Sequence, residues 1–219
     1  MNVTVLLNDV LLAFLAILPV VNPFSKPPIF LSITEGWTAA ERRTEAFKAS
    51  IYAFIILFVS LVAGTFILKF FSISLPALQI AGGLLIARTA FQMLNPQREH
   101  HQTPAEEHEA KQRDDVSFVP LAIPLLSGPG SMAVMINLGT EVTHWAEWII
   151  YITAAAAVCV ISYFVLDGSV AFSRMLGVNG MNALSKFMGF LLLALAVQFI
   201  LNGTSTTYLH ILTSAKSGA

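Results

Sequence analysis

Two stretches of this chain set helix-breaking residues among small hydrogen-bonding ones: Asn22-Pro23-Phe24-Ser25-Lys26-Pro27-Pro28 and Ser127-Gly128-Pro129-Gly130-Ser131. Proline deletes a backbone N–H and clashes with the preceding turn, so a helix meeting such a stretch stops and has to restart. The restarted helix presents first-turn N–H groups without intrahelical partners, and roughly half a positive charge. Pro27 and Pro129 suit first-turn positions, where a missing N–H costs nothing, and Asn22, Ser25 and Ser127 are residue types that cap. The chemistry on offer is capture of an anionic group such as a carboxylate, with repulsion of cations. Packing kinks, their freed carbonyls bonded to serine or threonine, are the plainer reading. Two related breaks in one chain favour a binding site over kinks.

The elements that must position these breaks lie in a membrane. The chain is 56% apolar and 11% charged, with mean hydropathy +0.73, whereas charge takes about a quarter of residues in soluble proteins. A net charge of −1 lacks the basic stripe that neutralises phosphates, so nucleic acid is excluded as a partner. The single cysteine, Cys159, permits no intramolecular disulfide. Crossing the hydrocarbon takes about 20 apolar residues, and six segments fit: 10–31, 47–68, 73–94, 117–138, 146–166 and 183–202. The opening residues carry no basic region or cleavage pattern and read as the start of the first segment. Residues 95–115 are polar and charged, as expected of a solvated linker. The organisation is then a first repeat over 1–95, a cytoplasmic linker over 96–116, a second repeat over 117–204 and a short tail over 205–219.

Lysine and arginine set the orientation. Arg42, Arg43, Lys48, Arg98, Lys111, Arg113, Arg174 and Lys186 fall on one side, against Lys69 and Lys216 on the other. Positive residues stay cytoplasmic, which predicts both termini outside and Trp145 and Trp148 at the outer interface.

The prolines of the two breaks are 129 − 23 = 106 residues apart. The same offset takes Ile17 to Ile123, Ser25 to Ser131, Ala77 to Ala183, Gly83 to Gly189, Ala90 to Ala196 and Gln92 to Gln198. One ungapped register over residues of such different type argues for an internal repeat. Each half holds three spans, an odd number, so the second half must be inverted relative to the first. The fold class is therefore an all-α membrane protein of six transmembrane helices in two inverted three-helix repeats, with helices 1 and 4 broken. Inversion points the restarted half-helices at each other near the midplane.

Asn22-Pro23-Phe24 followed by Pro28-Ile29-Phe30, IAGGLLIA at 80–87, FVPLAIPLLSGPG at 118–130 and SKFMGFLLLALAVQFILNG at 185–203 together resemble the signatures of the MarC family of bacterial inner-membrane proteins. The resemblance covers essentially the whole chain. It implies an inner-membrane location and a grouping with LysE-type exporters, some relatives being classed as transporters of small neutral amino acids. The chain departs from the pattern at Ser25 and Lys26, where a glycine and a small or polar residue are usual, and at Arg88, where an apolar or aromatic one is. Both cations could counter a carboxylate or phosphate in the inner half of the bilayer, or snorkel to headgroups along their own stems.

Other residues rank lower. Gln92 and Gln198 could close opposite gates or bond helices across the bundle. Asp167 is placed to pair with Arg174 at an interface, and Ala77, Ala81, Gly83 and Ala87 form a ridge of small residues. His100, His101 and His108 have loose metal-like spacing but sit in the charged linker, so no metal is expected. No HExxH, phosphate loop or serine–histidine pairing occurs, so neither an enzyme nor a cofactor is expected. Deep acidic residues, which a proton relay would need, are not evident. The expected function is alternating-access transport of a small solute, most of all a small neutral amino acid. Its site would be Asn22, Pro23, Ser25, Lys26, Ser127, Gly128, Pro129, Gly130 and Ser131, with Arg88, Gln92 and Gln198 as accessories. A passive channel for neutral or anionic solutes, and a non-transporting scaffold or regulator, are the alternatives. The partners are the solute and the lipid bilayer, and homo-oligomerisation is left open.

Overall fold

The computed structural model describes residues 3–95 and 116–217. The linker histidines lie outside the described residues. The chain forms α1 (Val3–Val21), a short 3-10 turn (Pro23–Ser25), α2 (Pro27–Ile33), α3 (Ala39–Phe70) and α4 (Leu75–Leu94). A coil over Ser117–Leu126 then leads to α5 (Pro129–Glu141), α6 (Trp145–Asp167) and α7 (Ser169–Ser217). Five stretches are long and apolar enough to cross a membrane: Asn8–Ser25, α3, α4, α6 and α7. Counting the bent pair of coil and α5 as one span gives six. This is an all-α membrane protein.

Local signals explain where the helices begin. Thr38 and Glu41 close a capping box at the start of α3, and the Ala77 N–H donates to the Ser74 hydroxyl at the start of α4 (3.3 Å). At the start of α6 the Glu147 carboxylate accepts from the backbone N–H groups of Thr143 (2.6 Å) and His144 (3.3 Å). Such a carboxylate also suits the positive end of the helix.

The structure differs from the sequence reading at two elements. Residues 117–126, expected as the first part of a helix, wind in a wider coil. The Leu121 N–H donates to the Val116 carbonyl (3.2 Å) and the Ser127 N–H to the Ala122 carbonyl (2.9 Å), five residues back instead of four. The reason is Pro120 and Pro124: each lacks an N–H and drives its predecessor, Val119 or Ile123, into extended backbone. Residues 205–217, expected as a tail, continue α7 as helix. That helix also starts earlier than expected, at Ser169, and turns sharply at Gly177, whose φ of 61° is left-handed and suits glycine.

The longest interface joins α4 to α7. A Cβ on Gly83 would stand 2.8 Å from the Ala196 carbonyl oxygen, and one on Gly189 would stand 3.2 Å from that of Ala90. Because 83 and 189 are mates at the offset of 106, and so are 90 and 196, the two contacts are reciprocal. They also run in opposite order, so the helices are antiparallel. Reciprocity extends further: α3 packs on α5 and the coil, while α6 packs on α1 and the 3-10 turn. The buried stripe of α4 is Gln79, Gly82, Gly83, Ile86, Ala90 and Met93. Of the small ridge read from the sequence only Gly83 is fully buried, and Ala77 and Ala81 are exposed. The helical period puts the stripe at 79, 83, 86, 90 and 93, which turns those two alanines away.

Candidate functional site

Asn22 ends α1 in left-handed backbone, φ 47°, a conformation asparagine tolerates better than other side-chain-bearing residues. Its N–H still closes the last turn on Leu18 (2.8 Å). The side chain is 1% exposed; Nδ2 donates to the Met93 sulfur (3.2 Å), and Oδ1 has no partner. A thioether is a weak acceptor, so neither end of this buried amide is well satisfied. Leaving a buried polar atom unpaired costs about 1–3 kcal/mol.

The second break arrives beside the first. A Cβ built on Gly130 would stand 2.9 Å from Ile86 Cγ1 and 3.6 Å from Val20 Cγ1, and Val20 precedes Asn22 by two residues. A side chain at 130 would push Ile86 aside, so glycine lets the start of α5 approach both α4 and the end of α1. Gly128 is the N-cap of α5 and Pro129 its first residue, with no side chain bonded across the cap. The first-turn N–H groups of this 13-residue helix are thus left to non-helical partners.

The remaining residues of the expected site fall as follows. Pro23 is buried, and Ser25 and Lys26 are half-buried; Lys26 is the N-cap of α2 and Pro27 its first residue. Pro129 is exposed, Gly128 and Gly130 half-buried, Ser127 and Ser131 buried. Asn22, Ser25 and Ser127, expected to cap, do not. Ser25 Oγ donates to the Asn22 carbonyl (3.3 Å), Ser127 Oγ to the Ala122 carbonyl (2.7 Å), and Ser131 Oγ to the Gly128 carbonyl (2.8 Å). Each serine turns back to a carbonyl three to five residues earlier, which competes with forward capping.

Three expected accessories stand apart. Arg88, Gln92 and Gln198 are all exposed, and Gln198 Nε2 bonds Asn202 Oδ1 on its own helix (2.7 Å) instead of a residue across the bundle. They occupy the outer face of α4 and α7, because the inner face is taken by the reciprocal glycines. Among the described residues no ion pair joins Asp167, which is exposed, to Arg174, the partner expected for it.

Residues the sequence did not single out also shape the site. Met93 holds the Asn22 amide. Glu45 is buried, 4% exposed; it accepts from the Val116 N–H (3.2 Å) and pairs with Lys48 (2.8 Å). It is an acid buried against protein near the start of α3, ahead of the apolar run of that helix, so it is not a group at membrane depth. In sequence it stands among charged neighbours that read as an interface, and only the helix face separates it from them. Gln79 Nε2 donates to Asn137 Oδ1 (2.8 Å), and Asn137 Nδ2 to Glu141 Oε1 (2.8 Å), a polar chain from α4 into the end of α5. Two amides isolated in apolar runs were the signal for it. Among the described residues no group of three or more histidine, cysteine or acidic side chains could hold a metal.

A helical membrane protein with paired proline breaks can be compared with known families, and the family model described as "MarC family integral membrane protein" matches residues 7–208. This chain belongs to the MarC family. Among its MarC relatives, the inner membrane protein MarC of Salmonella typhimurium is 37% identical over 203 residues, covering 88% of this chain and 92% of that protein. The MarC proteins of Citrobacter koseri and Escherichia coli match over the same span at 37% and 36% identity. No solved structure matches this MarC-family chain. Its relatives are named as inner-membrane proteins, in keeping with its apolar helices.

Proposed function

We propose that this MarC-family protein is a secondary transporter of a small neutral amino acid, bound where the two breaks meet. The observation that carries the proposal is the Asn22 amide, buried with Oδ1 unpartnered, beside the uncapped start of α5. An amino acid carries both complements: its carboxylate suits the Gly130 and Ser131 N–H groups, and its ammonium suits Asn22 Oδ1. Lys26, half-buried one turn away, adds positive charge on the α2 side.

The reciprocal contacts of Gly83 with Ala196 and of Gly189 with Ala90 support inverted repeats. Exchanging two antiparallel mates requires a two-fold axis perpendicular to them, which lies in the membrane plane for spanning helices. The axis passes midway between these contacts, at the level of Ile86 and Leu192. A Cβ on Gly130 would meet Ile86, which supports a second break at the level of such an axis, where rocking of one repeat against the other would expose a site alternately to each side. The lysine and arginine distribution supports a cytoplasmic linker with both termini outside.

Flux of radiolabelled alanine, serine and threonine into liposomes carrying the purified protein tests the proposal. Asn22→Ala is expected to lower saturable flux at least tenfold, the loss of about 1.5 kcal/mol or more that a hydrogen bond to a charged group contributes, while the protein elutes as wild type and melts close to it, because losing the unsatisfied amide offsets about 1–2 kcal/mol of left-handed strain in alanine. Non-saturating flux would favour a passive pore. Saturable flux that Asn22→Ala leaves unchanged would remove the site.

A further inference from the structure

The two restarted half-helices, α2 and α5, are mates at the offset of 106, yet they are held very differently. Three glycine contacts fix α5 against its neighbours. A Cβ on Gly82 of α4 would stand 2.7 Å from that of Ala133, one on Gly64 of α3 would stand 2.6 Å from Ile136 Cγ1, and one on Gly139 would collide with the Leu61 carbonyl. The mates of these glycines are Met188, Val170 and Ile33, so α2 has no equivalent close approach. It is also shorter, 7 residues against 13. Whereas α5 packs on α3, α4 and α1, α2 packs mainly on α7.

A polar chain widens the difference. Gln79 Nε2 donates to Asn137 Oδ1 (2.8 Å) and Asn137 Nδ2 to Glu141 Oε1 (2.8 Å), and Gln79 and Asn137 are each 8% exposed. Parting α4 from α5 would leave both buried amides unpaired, which is costly in a low-dielectric interior. The mates of Gln79 and Asn137 are Ser185 on α7 and Leu31 on α2, and leucine has no polar side-chain atom to bond. Arg43 with Tyr163, and Glu45 with the Val116 N–H, also join the halves at the linker end. Those bonds run from α3 to α6 and to the coil, so they do not hold α2. Both flanks of α2 carry left-handed backbone, Asn22 at φ 47° and Gly36 at φ 82°, with open space where a Cβ at 36 would stand. Terminal residues of this kind absorb the rotation of a hinge.

We propose that α5 is locked and that α2, hinged at Asn22 and Gly36, is the moving gate, so that the protein opens more readily at the linker end than at the opposite one. In an inverted repeat with identical halves the two openings would be mirror images of equal free energy. Differences between mates alone decide which is easier, and here every difference tightens α5 and frees α2. Buried Phe30 and Ile33 seat α2 in the closed position. The inference rests on the transporter reading for there being a site to open.

Distances between spin labels, measured by pulsed electron–electron double resonance on the full chain in lipid nanodiscs, test this. One pair, Pro28→Cys with Phe187→Cys, reports on α2 against α7; the other, Ala77→Cys with Thr143→Cys, reports on α4 against the end of α5. All four residues are exposed, and Cys159 is buried. The first pair is expected to give two resolved distances, and the second a narrow one with at most a small longer component. Gln79→Met with Asn137→Leu removes both buried amides at similar volume. In that variant the longer component of the second pair is expected to rise about threefold to tenfold, the size of one or two amide hydrogen bonds between membrane helices. A single narrow distance for the first pair, or a second pair as broad as the first, would overturn the proposal, and this comparison uses only the unaltered amides. So would a second pair unchanged by the double substitution in protein that elutes as wild type. The readout is position and not flux, so the two readings fail separately: two distances at α2 without saturable flux removes the amino acid, and saturable flux with one distance removes the gate.

Discussion

Asn22 is the residue on which most of the proposed chemistry turns. Its backbone occupies left-handed space that ends α1, and its buried side chain finds only a methionine sulfur. Asn22→Leu should therefore remove the unpaired polar atom without opening a cavity, a gain that offsets about 1–2 kcal/mol of left-handed strain in leucine; thermal melting in detergent should hold while liposome flux is lost, the opposite of what a purely structural asparagine would give. Glu45 behaves differently. Its carboxylate satisfies the Val116 N–H at the start of the second half. Glu45→Ala leaves that buried donor unpaired and should cost about 1–3 kcal/mol, read as a lower melting temperature. Glu45→Gln keeps an acceptor there and should cost less. The sequence identified Asn22 because a break drew attention to it, and passed over Glu45 because its neighbours are charged.

Among the elements, the broken spans differ in kind although they are mates in sequence. The first ends in regular helix, α1, and restarts as α2 after one 3-10 turn, whereas the second begins as a coil of i to i+5 hydrogen bonds. The cause is local: Pro120 and Pro124 have no proline counterparts at residues 14 and 18, which are Phe14 and Leu18. The glycine contacts decide how closely the spans approach. A Cβ at Gly139 would collide with the Leu61 carbonyl, which belongs to a helix and cannot shift cheaply. Gly139→Val is accordingly expected to lose most of the monodisperse protein on size-exclusion chromatography, while Gly36→Ala, at an open turn with φ 82°, should retain the fold at a cost of about 1 kcal/mol.

For the whole molecule the testable property is orientation. Ala40 and Thr143 are both exposed, at opposite ends of the bundle, and Cys159 is buried. With the native thiol silent, a membrane-impermeant maleimide should label Thr143→Cys in intact cells and Ala40→Cys only after permeabilisation. The reverse pattern would invert the proposed topology and place both termini in the cytoplasm.

Class, span number and the positions of both breaks were legible in the chain, because hydropathy, proline chemistry and a fixed offset are properties of residue type and spacing. The MarC signatures were legible for the same reason. Whether the breaks meet was not, since nothing local tells residue 130 that Val20 lies across from it. Likewise, which polar atoms go unsatisfied depends on the partners that packing supplies. The serines expected to cap turned back to earlier carbonyls, and the Gln92 and Gln198 mates turned outward. Composition and spacing determined that this is a membrane protein broken twice. Only tertiary packing decided that an asparagine amide with its oxygen unpaired stands where the second break arrives.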